Sequence, residues 1–408
     1  MNILFVCHRI PYPPNKGDKI RSFNILRHLA EKHEVYLATL VDDPTDLQYL
    51  HVLEKMVRKV EYDLVHPIFK KLSSTLALLR SRPISVDYFY SVKIQKWIDS
   101  LLDSVPIDAA FCFSSPIAEY LFRSRHYHGK LKEITRVIDL IDVDSYKWEQ
   151  YAERSKGIMK RIYLLESRYL RNYEQRIADE FDRVLLVSEA EKALLLDRIE
   201  ARNSQAMSNG VDLQYFSPSY ESPPLPVRGP TLAFTGAMDY WPNIDAVQWF
   251  VQHVLPDVLK IFPSLTFYII GNRPAPAVRR MALEYPCIKV TGYVDDIRTC
   301  LARIDVCVAP LRIARGVQNK VLEAMAMGKP VVCTSHALEG ICAEPGKDIV
   351  RADAPEEFAE AVIQLLKDKA RRTEIGKRAR SFVENNFSWA SNLAPLGTIF
   401  QPGQAAHL

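Results

Sequence analysis

Nowhere in this chain do about 18 apolar residues follow one another, so no membrane-spanning helix is expected. The opening M-N-I-L-F-V-C-H has too short an apolar run for a secretory signal and meets His8, Arg9 and Pro11 at once. No C-x-x-C pair occurs, which removes the usual spacing for zinc or dithiol redox work. The seven cysteines are odd in number and scattered through apolar runs, and they read as reduced core thiols of a cytosolic protein. Long basic blocks are missing, and a formal charge of +4 is small for 408 residues, which argues against nucleic acid as a partner. The G-x-G-x-x-G fingerprint is absent as well, and that argues against a dinucleotide.

What is present suits two α/β domains. A chain of 408 residues exceeds one typical domain, and a hydrophobic fraction of 48% supplies two cores. Residues 2–7 form an unbroken apolar run, as expected of the first strand of a parallel sheet buried on both faces. A stiff loop with Pro11, Pro13 and Pro14 follows and ends at Gly17, where backbone can approach a ligand at a helix start. Ile20, Phe23, Leu26 and Leu29 then mark a helix, and 35–41 a second strand. Arg21, one turn into that helix, faces either a ligand or solvent. Further strands are expected at 109–113, 136–141 and 183–188. Five prolines between 217 and 230 mark a linker, and a second domain opens with the strand ending at Gly236. Expected boundaries are 1–217, a linker at 218–230, a second domain at 231–386 and a terminal segment at 387–408.

Two stretches carry chemistry. The first is R-G-V-Q-N-K-V-L-E-A-M-A-M-G-K-P-V-V, residues 315–332. An apolar strand precedes it, Gly316 permits a close backbone approach, and Val321, Leu322, Met325 and Ala326 recur at helical spacing until Gly328 and Pro330 end the helix. A loop at the carboxyl end of a parallel strand is where open α/β sheets take ligands. Helix-start amides with Arg315 and Lys320 favour an anion, and Glu323, one turn on, is placed to accept hydrogen bonds from a ribose diol. The alternative is that Lys320 and Glu323 are an ordinary i,i+3 surface pair. The second stretch is D-L-I-D-V-D-S-Y-K-W, where Asp139, Asp142 and Asp144 cluster at a strand end. Strand alternation sends Asp142 and Asp144 to one side. The alternative there is a helix cap at Asp144 or Ser145.

The E-A-M-A-x-G-x-P-V-V pattern of 323–332 resembles the signature of family-four glycosyltransferases, retaining enzymes with the GT-B fold of two facing Rossmann-like domains and an interdomain cleft. Three more segments match in the same order: the proline-rich first loop, S-N-G-V-D-L-Q-Y-F-S-P at 208–218, and T-G-Y-V-D at 291–295. R-I-P-Y-P-P, D-V-D-S-x-K-W and G-V-Q-N-K are similar to the sugar transferases of bacterial exosortase and exopolysaccharide clusters. The resemblance implies transfer of a sugar from a nucleoside diphosphate sugar to a hydroxyl of a glycan or lipid-linked acceptor, with configuration retained. No metal and no resident cofactor are expected; the donor is a substrate. Glu323 is implied to contact the donor ribose, while Arg315 stands where relatives carry a second glutamate. Gly17, Gly236, Gly316, Tyr293 and Val294 are implied donor-side positions, and Arg273 at a strand end is a candidate phosphate contact. Relatives place an arginine and a lysine in the loop after Gly236; here Met238 and Pro242 stand nearby instead, so Arg315 and Lys320 are the candidates for charge stabilisation at the diphosphate. Asp142 and Asp144 fall where relatives put a histidine or acid near the acceptor hydroxyl. The tail F-S-W-A, beginning at Phe387, is expected to cross back to the first domain. Two other readings share this fold: a nucleotide-sugar epimerase and a catalytically silent sugar-nucleotide sensor.

Basic residues concentrate in two places. From Lys55 to Arg82 there are seven against two acids, with Leu72, Leu76 and Leu79 on one helical face, and from Arg154 to Arg176 there are again seven against two. The pattern suggests peripheral attachment of a cytoplasmic protein to an anionic membrane face.

Overall fold

A computed structural model of the chain describes residues 1–65, 81–223, 229–314 and 316–401. Two compact units result: Met1–Ser208 with Leu393–Leu408, and Asn209–Asn392. The sequence reading places the first boundary at 217 and the start of the terminal segment at 387. Arg315, the leucines at 72, 76 and 79, and residues 224–228 of the linker lie outside the described residues.

The first unit is built on seven strands: β1 (Asn2–Cys7), β2 (Glu34–Val41), β3 (Lys59–Leu64), β4 (Ala109–Phe113), β5 (Thr135–Ile141), β6 (Arg183–Leu186) and β7 (Ser204–Ala206). All pair in parallel, in the order β3-β2-β1-β4-β5-β6-β7. Burial explains the apolar runs: Ile3 to Phe5 of β1 and Ala109 to Cys112 of β4 have no exposure, and Phe5 stacks on Phe111 with ring centroids 5.0 Å apart. Helix Gly17–Ala30 turns Phe23, Ile25, Leu26 and Leu29 onto the sheet. From Leu393 the chain end belongs to this unit, with the buried Phe400 ring 6.4 Å from that of Phe111.

Six strands form the second unit's sheet: β8 (Thr231–Thr235), β9 (Thr266–Ile270), β10 (Ile288–Gly292), β11 (Val306–Ala309), β12 (Val331–Cys333) and β13 (Val350–Arg351). They too are parallel, in the order β10-β9-β8-β11-β12-β13. In each sheet the chain reverses its direction of winding beside the first strand, between β1 and β4 and between β8 and β11. Ligands of doubly wound sheets settle outside the carboxyl ends at that switch point. The seven cysteines are free thiols, and among the described residues no helix is long and apolar enough to cross a membrane.

Candidate active site

In the second unit the switch point lies between Gly236 after β8 and the loop that leaves β11 for helix Asn319–Ala326. Gly316 holds a φ of 61° in that loop, a conformation that glycine adopts without penalty. The helix cap, Gln318, is extended and supplies no side-chain cap, so the first amides keep their pull on an anion. Its far end is closed firmly. Met327 and Lys329 donate backwards to the Glu323 and Ala324 carbonyls at 3.0 Å, Gly328 sits at φ 66°, and Arg380 donates to the Ala326 carbonyl at 2.7 Å. Arg312, ahead of Gly316, braces the loop by pairing with Asp245, its Nε 3.0 Å from Oδ2.

Lys320 and Glu323 are not an ordinary surface pair. Both are half-buried, and among the described residues they make no direct ion pair. Lys320 Nζ instead donates to Asn243 Oδ1 at 2.7 Å and lies 5.0 Å from the centre of the Phe234 ring. Asn243 in turn donates from Nδ2 to the Ala237 carbonyl at 2.9 Å. The ammonium is thereby tied to the loop after Gly236, the one in which basic residues are missing. Met238 and Pro242, which stand near the usual basic positions, are buried and belong to the packing. Burial pulls Lys320 down to about 8 against the Glu323 charge, and burial pushes Glu323 up to about 7 against Lys320. The Glu323 carboxylate accepts no hydrogen bond from the described residues.

Close packing of backbone holds the rim. A Cβ on Gly236 would come within 2.7 Å of Asn243 Nδ2, and one on Gly271 would overlap the Gly236 carbonyl oxygen. Met238 donates to the Asn272 carbonyl and accepts from Ala275, both at 3.0 Å. Arg273 is exposed there with φ 49°, while Tyr293, at 64% exposure, follows Gly292 with φ 70°, and Val294 packs partly on the core. The N-G-V-D segment is a support for this unit. Asn209 reaches Asn319 at the ligand-facing helix with a 3.2 Å hydrogen bond, Gly210 lies against Trp389, and Asp212 Oδ1 accepts from the Gln214 and Tyr215 amides.

In the first unit, strand alternation does not govern the acids. β5 carries an irregularity between Asp139 and Ile141, and Ile141 has φ 71°, a strained value for a β-branched residue. Asp139 is fully buried and receives Arg21 Nε at 2.7 Å and the Ile141 amide at 3.0 Å, so Arg21 faces neither solvent nor ligand. Burial raises the Asp139 carboxyl even so, against the Arg21 charge. Asp144 is the first residue of helix Asp144–Glu153 and accepts from the Ser115 hydroxyl at 2.6 Å. Neither Asp144 nor Ser145 is the cap: Val143 is, and carboxylates from elsewhere serve the amides, Glu191 that of Val143 and Glu174 that of Ser145, each at 2.9 Å. Asp142 is half-buried, accepts no hydrogen bond from the described residues, and is raised by burial against the pull of Lys147. Gly17 opens helix Gly17–Ala30 exposed, behind an uncapped Lys16.

Sequence reasoning passed over Asn243 and His8. Asn243 pairs with a lysine far along the chain, a link visible only once β8 and β11 lie side by side. His8, just past β1, is buried between the faces of Phe113 and the edge of Phe89, with Nε2 3.3 Å from Asp18. Asp18 would be raised by burial, but the His8 and Arg9 contacts outweigh this and hold it well below the usual carboxylate range. Its H-R-I-P setting next to the proline loop was the available signal.

Two doubly wound parallel sheets in one chain, the second presenting a basic helix start at its switch point, are the architecture of the GT-B fold. Residues 229–368, within the second unit, match the family model described as glycosyl transferases group 1. An uncharacterized 44.6 kDa protein in the cps region of Klebsiella pneumoniae is 20% identical over 397 residues, 94% of this chain and 96% of the relative. Sucrose-phosphate synthase from Thermosynechococcus elongatus superimposes with a TM-score of 0.72 at 17% identity, covering 98% of each chain. Anabaena HepE in complex with UDP-glucose gives 0.65 at 16% identity, again with 98% of each chain covered.

Proposed function

We propose that the protein transfers a sugar, with retained configuration, from a nucleoside diphosphate sugar to a hydroxyl of a glycan or lipid-linked acceptor in the synthesis of a cell-surface polysaccharide, working in the cytoplasm without a resident cofactor. The observation that carries this reading is a Glu323 carboxylate that accepts no hydrogen bond from the described residues, set one helical turn from a Lys320 ammonium drawn to the loop after β8. Glu323 takes the ribose hydroxyls. Lys320 and the first amides of helix Asn319–Ala326 hold the diphosphate as charge develops on it, which is the larger part of catalysis at such a centre. Within the second unit Gly236, Gly316, Arg273, Tyr293 and Val294 serve the donor, and Arg315 adds charge by its place in the motif. The bond from the anomeric carbon to the diphosphate oxygen breaks, its electron pair leaving on the diphosphate. The acceptor oxygen bonds to the same face, its proton passing to Asp142 or the departing diphosphate. Asp144, held by Ser115, positions the Asp142 turn. The cps-region setting of the Klebsiella relative and the UDP-glucose bound by HepE support the acceptor and donor classes.

The test is product analysis with a panel of nucleoside diphosphate sugars and oligosaccharide or polyprenyl-linked acceptors. Release of nucleoside diphosphate with a new glycoside of unchanged anomeric configuration is expected. An isomerised donor, an inverted glycoside, or binding without turnover would each contradict it.

A further inference from the structure

The acid cluster of the first unit leads directly into a helical hairpin on whose tip nothing is packed among the described residues. Helix Asp144–Glu153 runs out from β5, and helix Gly157–Glu180 returns. The hairpin is locked near its middle by Trp148, Tyr151 and Tyr163, with Trp148 and Tyr163 centroids 5.3 Å apart. It is fastened to the body by Glu166, which accepts from the Ile84 and Ser85 amides at 2.6 and 3.0 Å. From Glu166 back to the tip the side chains are open: Ile158 is 74% exposed, Met159 42%, Leu164 44% and Leu165 40%. Exposed Lys156, Lys160 and Arg161 are set among them, with Arg168 just beyond, and none has a carboxylate partner among the described residues. Between 154 and 168 the single acid is Glu166, buried and already bound.

Basic content alone did not point to this tip. Of the seven basic residues between Arg154 and Arg176, three are engaged: Arg154 has an interaction of its own, Arg171 donates to the Arg198 carbonyl, and the Arg176 guanidinium lies 3.9 Å from the centre of the Phe122 ring. The remaining cations gather where the exposed aliphatic side chains are.

We propose that this hairpin tip docks on an anionic lipid surface. The core of a protein interface is depleted of charge, lysine included. Here aliphatic side chains are interspersed with cations, and the exposed Glu153 is outnumbered by Lys156, Lys160 and Arg161, the composition of a segment that lies in the headgroup boundary with its apolar groups inserted and its charges on lipid phosphates. The tip grows from the strand end that carries Asp142, so docking would present that acid to a lipid-linked acceptor. The docking itself does not depend on the acceptor proposal.

Sedimentation of the full chain with vesicles tests it, using phosphatidylcholine alone and an equal mixture with phosphatidylglycerol. Binding to the mixed vesicles that weakens steeply with salt is expected, with little binding to the neutral ones. The Lys160→Glu, Arg161→Glu double variant should bind at least roughly 25-fold more weakly, about fivefold for each lost cation. An Ile158→Ser, Leu165→Ser variant should lose the part that survives high salt. Both variants alter exposed residues and should melt with the wild type, and both should keep donor binding, which separates this result from any failure of the transferase reading. No binding to either vesicle, equal binding to both, or unchanged binding by the charge-reversed variant would overturn the proposal. Self-association or capture of a protein partner lost in the same variants, without vesicle binding, would assign the tip elsewhere and also overturn it.

Discussion

Glu323 and Lys320 are shifted in opposite directions within one helical turn, and the signs decide how donor binding depends on pH. Glu323 is raised above its unfolded value, so its contribution to stability is present at low pH and lost as pH rises through about 7. Lys320 is depressed below an unfolded value of about 10.4, so its contribution is present at high pH and lost as pH falls through about 8. Between these values both are charged, the state least comfortable for the empty protein and best suited to a ribose and a diphosphate. Donor affinity measured by calorimetry should therefore peak between about 7 and 8 and fall on both sides; a flat profile across that range would dissociate the pair from the donor. Asp142 makes a second prediction at this scale. Asp142→Ala should lower kcat by about 10² or more, as for a general base, and leave donor affinity unchanged. Steady-state kinetics beside donor titration checks it, and equal loss in both would place Asp142 on the donor side instead.

Among the elements, helix Asn319–Ala326 depends on its closed end as much as on its open one. Gly376, on helix Lys369–Asn386, lies so near Gly328 that an added Cβ would overlap the Gly328 carbonyl oxygen. Gly376→Ala should destabilise the second unit by about 1–3 kcal/mol through overpacking, read as a lower urea midpoint with an unchanged slope. Elements of this kind were legible wherever burial was complete. β1 and β4 match their apolar runs residue for residue, because a central parallel strand is covered on both faces, and β8 stops one residue short of the expected end at Gly236. The edge strands β3, β7 and β13 were missed: K-V-E-Y-D-L, S-Q-A and V-R carry polar residues that an edge tolerates and that apolar periodicity cannot find. The turn at Ile141 was invisible for a related reason, since no glycine announces its positive φ, and the alternation argument for Asp142 and Asp144 failed there. Asn243 was hidden because its partner is set by strand order and not by spacing.

At the scale of the whole chain, the motif order carried the resemblance, and pairing across the sequence carried the site's support. N-G-V-D was readable as a hallmark; that Asn209 reaches Asn319 and that Gly210 lies against Trp389 follows only from the fold. Likewise the terminal segment is read from sequence as beginning at 387, whereas Phe387 still accepts from Val211 in the second unit, at 2.8 Å, and the first unit takes the chain from Leu393. The central claim is that the second unit binds a nucleoside diphosphate sugar through Glu323. Its most direct test is the unfolding of the full chain and of Glu323→Gln across a panel of such sugars. At a ligand concentration about 100 times the dissociation constant, the wild type should gain roughly 2.7 kcal/mol. At that same concentration the variant, having lost a charged hydrogen bond worth about 1.5–3 kcal/mol, should gain far less. Equal stabilisation of both proteins by the same sugar nucleotide, or no stabilisation of the wild type by any, would contradict the account.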